Sequence, residues 1–368
     1  MPPQRRKWSP SAGIFCALAL CSILIAGLWP FGHPRNDVTW LANQNGVRLG
    51  KRATILSSRP LPDGNVGLCT LEMWLRPRVS RGSGTLLAFY GPSGTVGLSL
   101  HQSLTDLRLD RVLGRGRTAK IYVDNAFHAE RLVFLTVVSQ QSGTAAYLDG
   151  APVRQVSGFS SSLHDCTGNF VVGDSPKTNN TWEGDLSGLA IYRHAFTPEQ
   201  AMLNYWSWRN TGQPADNVSG KPVALYLFDE NGGKRIRDHG FSGVRLSIPE
   251  RYMIAQPTVL ESPWRAFEPT WDYVQDIGIN IGGFVPFGFT LSAFLLSNGQ
   301  VRRVGALSVL FGFFVSLTIE ALQAYLPTRD SDLTDVVTNT FGTWLGVMLH
   351  RAWISQGLAL DPISKATR

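Results

Sequence analysis

Residues 276–289, DIGINIGGFVPFGF, residues 316–327, SLTIEALQAYLP, and residues 332–346, DLTDVVTNTFGTWLG, decide how this chain is read. Each sets a few polar side chains into an apolar run at helical spacing. Asp276 and Asn280 are four apart, Glu320 and Gln323 three apart, and Asp335 and Asn339 four apart, so each pair shares one helix face. The stretches Ile277–Val301, Val304–Ile319 and Val336–His350 hold no charged residue, and neither does Trp8–Pro34 near the other end. A bilayer core of about 30 Å takes roughly 20 helical residues. The runs therefore predict transmembrane helices over residues 11–30, 277–297, 304–326 and 334–353.

Outward from these spans, the basic residues set the orientation. Arg5-Arg6-Lys7, Arg302-Arg303 and Arg351 fall at alternate ends of successive helices, so all three clusters can be cytoplasmic together. This places residues 1–10 and the tail 354–368 inside. The long segment 31–275 and the short loop AYLPTRDSDLTD, 324–335, lie outside. The formal net charge of +7 comes largely from residues flanking apolar runs, Lys365 and Arg368 among them. That pattern points to membrane topology and excludes a nucleic-acid partner, which needs a basic stripe interleaved with aromatics. A cleaved leader is the alternative reading of the first span, but its apolar run through Trp29 is long for one. With 368 residues and 17% charged side chains, the chain reads as apolar blocks joined to a soluble domain.

Glu320 is the most informative residue of the membrane part. Val304 to Glu320 is 16 steps, or about 24 Å of rise, which puts the carboxyl roughly 6 Å inside the outer boundary. An ionisable group there needs a partner. Arg329 is the nearest cation in sequence, and Gln323, Asn280 and Asn339 offer amides at a similar depth. Together with Asp276, Asp332 and Asp335 they form an expected ligand-binding cluster open to the outer surface. The competing reading is structural: Asp332, Asp335 and Asp276 suit helix N-termini, and Glu320 with Arg329 suits a buried pair that fixes packing. Gly278 with Gly282, and Gly342 with Gly346, have the spacing for close helix approach. Pro286 is expected to loosen its span.

Residues 36–262 have a different pattern, of short alternating runs split by Gly, Pro, Asn and Asp, and predict an all-β sandwich. In CTLEMWLRP, Cys69, Leu71, Met73 and Leu75 share one face and Thr70, Glu72, Trp74 and Arg76 the other, as in a half-buried strand. RLVFLTVVS and AAYLDGAPVRQV read as further strands, the latter turning at Asp149-Gly150. Cys69 and Cys166 lie in the external part, where a disulfide persists, and the spacing leaves two buried thiols equally open. Asp174, Trp182, Glu183 and Asp185 suit turns and packing better than calcium or sugar contact. No metal or cofactor is expected. Asn179 and Asn217 head glycosylation acceptor sequences.

The C-terminal residues resemble the VanZ-like membrane family, whose pattern they carry in Asp276, Asn280, Phe284, Pro286, Gly288, Glu320, Gln323, Arg329, Asp332, Asp335, Asn339, Thr340, Gly342 and Gly346. Residues 270–353 are thus identified as a VanZ-like transmembrane domain. The segments LEMWLRP, FLTVVSQQSGTAAYLDGAPV and FVVGDSPKTNNTWEGDLSGLAIYRHAFTPEQ resemble the LamG-like, concanavalin A-type jelly rolls. ALYLFDENGGKRIRDHG, 224–240, looks like that family's opening strand but follows the rest, which implies a permuted or extended sandwich. The resemblances imply a bacterial cell-envelope protein with the bilayer as partner. They also imply a link to glycopeptide (teicoplanin) resistance, and carbohydrate or protein binding by the sandwich. Binding of a lipid-linked glycan or polysaccharide is the leading expectation. An intramembrane enzyme acting on a lipid-linked substrate, and a membrane-anchored lectin-like scaffold or sensor, are the alternatives.

Overall fold

The structure, a computed structural model, describes residues 10–62, 67–92, 94–112, 117–160, 165–216, 220–263, 271–297 and 303–360. Arg5, Arg6, Lys7, Arg302, Lys365, Arg368 and the acceptor sequence at Asn217 lie outside the described residues. The chain forms two compact units. One covers His33–Pro257, and the other includes the N-terminal helix and the residues from Thr258 on.

In the first unit the alternating runs build two antiparallel sheets of eight strands each, among the described residues. One sheet has the order β1 (Val38–Trp40), β2 (Val47–Leu49), β13 (Gly184–Tyr192), β4 (Cys69–Pro77), β9 (Val133–Gln140), β10 (Gly143–Leu148) and β11 (Ala151–Val156). β14 (Ala224–Tyr226) pairs with β13 beyond the β2 register. The other sheet runs β15 (Arg235–Ile236), β16 (Leu246–Ser247), β3 (Ile55–Ser57), β12 (Asn169–Val172), β5 (Gly82–Tyr90), β6 (Val96–Leu104), β7 (Asp106–Val112) and β8 (Thr118–Val123). Leu71, Met73 and Leu75 of β4 share the core with Leu87 and Phe89 of β5 and Leu98 and Leu100 of β6. β14 to β16 come from the 224–247 segment and extend both sheets. Asp149 and Gly150, with φ of 50° and 78°, make the tight turn between β10 and β11. A disulfide joins Cys69 to Cys166, with the Cα atoms 6.2 Å apart.

The expectation of a half-buried β4 is corrected. Thr70 and Glu72 on its second face are fully buried, because helix α2 (Pro198–Thr211) lies over that face. Phe134, Tyr147, Tyr192 and Trp208 form a small second core between helix and sheet. α2 starts with a capping box made by Thr197 and Gln200, has Pro198 in its first turn, and stops at Gly212 with φ of 73°.

The second unit contains α1 (Pro10–Leu28), α3 (Trp271–Ser297), α4 (Val304–Gln323) and α5 (Leu333–Leu360). Among the described residues three helices, α1, α3 and α4, are long and apolar enough to cross a membrane. α5 has the length, but Asp335, Asn339, His350 and Arg351 interrupt its apolar character, so length and composition together support three of the four expected spans. The helices also differ from the expected limits: α3 begins at Trp271, α4 ends at Gln323, and α5 continues to Leu360. α3 passes through Pro286 as one helix, and Thr290 Oγ1 donates to the Pro286 carbonyl at 2.8 Å.

Ile23 of α1, Phe284, Phe287 and Leu291 of α3 and Ile319 of α4 form the core of this unit. α3 and α5 make their closest approach where Gly288, Gly342 and Gly346 each face the backbone of the opposing helix, so a methyl at any of the three would collide. The pair Gly278 and Gly282 does not do this. Nothing stands within 4 Å of where their side chains would be, and only one of the two expected glycine pairs mediates packing.

Candidate functional site

The polar residues of the helical unit gather around the end of α4 and the start of α5. Glu320, on the last turn of α4, is 1% exposed, and its Oε2 accepts the Asp332 backbone N–H at 3.0 Å. Asp332 precedes α5 and its Oδ1 accepts the Thr334 N–H at 2.8 Å, which is the N-capping geometry that spares this helix an unsatisfied donor. In the first turn of α5, Asp335 interacts with the Asn280 side chain of α3. A turn further, Asn339 Nδ2 donates to Ser316 Oγ of α4 at 2.9 Å. Ser316 and Glu320 are themselves four apart, so α4 and α5 present two levels of polar contact to each other. Asp276 lies exposed on α3. Residues after the sandwich brace the turn into α5: Leu260 N–H donates to Ser331 Oγ, and Leu333 N–H to the Glu261 carbonyl, both at 3.0 Å.

Arg329 and Gln323 face elsewhere. Arg329 Nη2 donates to the carbonyls of Ala26 (3.0 Å) and Trp29 (2.8 Å), and Nε to Trp29 (3.1 Å). Gln323 Nε2 donates to the Gly27 carbonyl at 2.8 Å. The last turn of a helix leaves carbonyls without partners, and cationic donors there are favourable. Pro30 cannot extend α1 past this point. Arg329 thus caps α1, and no ion pair joins it to Glu320 among the described residues. With the Arg329 donors spent on α1, the cluster is rich in acceptors among the described residues. Gln323 Oε1 and Asn339 Oδ1 are buried without a protein donor. Among the described residues no three His, Cys, Asp or Glu side chains are placed to share a metal ion.

Sequence reasoning missed Ser316, whose hydroxyl looks unremarkable until Asn339 is brought to it. It also missed the buried pair His350 and Ser292, with Nδ1 and Oγ 2.9 Å apart. The signal for both was available, as polar residues at helical spacing from others in an apolar run.

In the sandwich unit the acidic residues hold structure. Asp174 Oδ1 accepts the N–H groups of Ser175 and Asn180, and its Oδ2 accepts the Tyr252 hydroxyl at 2.7 Å. Burial pushes its pKa up to about 7. Trp182 is buried and donates to Gln102 Oε1 at 2.7 Å. Asp185 pairs with Arg48 at 2.7 Å. Asn179, an acceptor-sequence residue, takes the Tyr252 hydroxyl at 3.0 Å. Glu72 accepts from Asn204 Nδ2 (3.0 Å), Trp208 Nε1 (3.0 Å) and the Tyr192 hydroxyl (3.1 Å), and burial raises its pKa to about 7. It fastens α2 to β4. The outer face of the second sheet carries His101, whose ring nitrogens lie 3.1 Å from Thr85 Oγ1 and 2.8 Å from Ser99 Oγ. Burial lowers its pKa to about 3, so it is neutral.

Comparison with known proteins agrees with both parts. Residues 227–354 match the VanZ/LLP1 family model, and residues 50–202 match that of the concanavalin A-like lectin/glucanases superfamily. Protein VanZ of Enterococcus faecium is 38% identical over 72 residues, which are 19% of this chain and 41% of that protein. The chain therefore spans about two fifths of the length of this curated relative. Among solved structures, a proposed carbohydrate-binding protein from Bacteroides ovatus is similar at 13% identity and a TM-score of 0.42, over 56% of this chain and 58% of that one. A heptameric SAP-like pentraxin from Limulus polyphemus is similar at 16% identity and a TM-score of 0.37, over 59% and 93%. The chain carries a concanavalin A-like domain matched over residues 50–202 and, C-terminal to it, a VanZ-like domain whose match, residues 227–354, begins within the sandwich unit.

Proposed function

We propose that this chain is a cell-envelope membrane protein whose helical unit binds the polar head of a lipid-linked glycan. The sandwich unit engages polysaccharide on the same side of the membrane. In this reading α5 is a fourth span, both termini are cytoplasmic, and residues 31–275 are external, as the alternating basic clusters favour. The carrying observation is the pair of buried acceptors Glu320 and Asn339, with Asp332, Asp335 and Asn280 beside them, in helices of membrane length. Buried polar groups in a bilayer must find partners. With Arg329 committed to α1, those partners are donors, and sugar hydroxyl and amide N–H groups supply donors in number. Asp276, being exposed, sits at the rim.

The VanZ-like resemblance ties this reading to glycopeptide (teicoplanin) resistance, and the test is genetic. Cells lacking the protein are complemented with the wild type, with Glu320→Gln plus Asn339→Leu, or with a chain lacking residues 36–257. Teicoplanin susceptibility and surface polysaccharide are then compared. The reading expects the double variant to fail although present in the membrane at wild-type level. It also expects the shortened chain to keep part of the phenotype. Full rescue by the double variant refutes it.

A further inference from the structure

On α4 and α5, from Gly305 and Arg351 up to Phe313 and Thr340, an apolar groove of about 550 Å³ runs between the two helices, beginning at the end of α4 opposite Glu320. This is within the size range of ligand-sized clefts, about 300 to 1,000 Å³. Two small residues, Gly305 and Ala306 on α4, line it together with Leu310, Phe313 and Trp344. From Gly305 to Phe313 is eight residues, or about 12 Å of helix, close to the half-thickness of a bilayer core of about 30 Å. The groove thus lies within one leaflet and lines up with a single acyl chain.

Charge marks one end of it. Arg351 lines the groove, and its guanidinium rests on the first turn of α4, where a methyl on Gly305 would collide with Nη2. Arg303, two residues before Gly305, is the N-cap residue of α4 and makes no side-chain capping bond. Neither arginine forms an ion pair among the described residues. An apolar trough about one leaflet long that ends at Arg351, a cation without an ion pair among the described residues, complements one molecule above others: a phospholipid with a net anionic head group. A zwitterionic head would bring its own cation up to Arg351 and lose part of the attraction.

We infer that the α4–α5 groove is a binding site for one anionic phospholipid. Its phosphate is held by Arg351 and its acyl chain lies over Ala306 and Leu310, in the leaflet at the Arg351 end. This inference is independent of the proposed function, since it concerns another end of the unit and other residues.

The test is lipid retention by full-length protein in detergent, followed by native mass spectrometry. Phosphatidylglycerol or phosphatidylcholine is added at equal concentration to wild type, Arg351→Gln and Ala306→Phe. Ala306 and Arg351 are both exposed, so the variants keep the fold, and an unchanged melting temperature verifies this. Wild type should retain one phosphatidylglycerol about tenfold better than phosphatidylcholine, the size expected of one charge-assisted contact. Arg351→Gln should bring the two lipids to parity, and Ala306→Phe should reduce retention of both. Equal retention by wild type, a preference that survives Arg351→Gln, or binding that survives Ala306→Phe would overturn the inference.

Discussion

Replacing Glu72 by glutamine should alter how stability depends on pH. Three donors converge on this fully buried carboxyl, yet no cation is among its hydrogen-bond partners, and burial raises its pKa from 4.5 to about 7. The folded state therefore binds a proton that the unfolded chain has released between about pH 4.5 and 7. Stability is fully present below the unfolded value and falls as pH rises through the folded one. At about 1.4 kcal/mol per unit, the difference is roughly 3 kcal/mol. Asp174 acts in the same direction, from 3.8 to about 7. His101 acts in the opposite one, adding stability as pH rises from about 3 to 6.5. Both are present in wild type and variant, so the difference between the two proteins isolates Glu72. The assay is urea unfolding of the full-length protein in detergent between pH 4.5 and 7.5. Tryptophan fluorescence reports on it, because Trp208 donates directly to Glu72. Wild type should lose about 3 kcal/mol more than Glu72→Gln over that range. Parallel stability curves for the two would refute the reasoning.

Other outcomes are equally specific. Reducing the Cys69–Cys166 bridge, whose partners are 97 residues apart, should cost the sandwich about 4 kcal/mol, measured by unfolding with and without reductant and confirmed by thiol alkylation. Gly346→Leu should abolish a folded monodisperse protein on size exclusion, because that glycine faces the α3 backbone. Gly278→Ala, in open space, should be neutral or stabilising by up to about 1 kcal/mol. Arg329→Ala should destabilise the helical unit by about 2 kcal/mol and free the end of α1, seen as loss of a cysteine crosslink between that end and the 324–332 loop. Arg329→Lys should restore only part of it, since one ammonium lacks the planar fork that spans two carbonyls.

What the sequence disclosed and what it withheld differ by the range of the interaction. Strand β4 and the Asp149-Gly150 turn follow from local periodicity and turn chemistry, and each stands where the pattern puts it, while the apolar runs are helical with other limits than expected. Glu72 could not be placed, because the alternation in CTLEMWLRP shows only that it leaves the core face. That α2 then covers it depends on a helix more than 120 residues later. Proximity in sequence points to Arg329 as the partner of Glu320, yet α1, some 300 residues away in sequence, offers it three backbone bonds. The glycine pairs look alike in sequence, and only the packing of α3 on α5 separates Gly342 and Gly346 from Gly278 and Gly282.

The central claim is that the buried acceptors around Glu320 hold a lipid-linked glycan. Its most direct test is native mass spectrometry of protein extracted gently from its own membranes, with Glu320→Gln plus Asn339→Leu as the control and Arg329 left intact to keep α1 in place. The account predicts a co-purifying species that fragments to sugar and lipid, present on wild type and absent from the control. The same glycolipid on both proteins, or none on either, would contradict it and leave Glu320, Ser316 and Asn339 as helix-packing contacts.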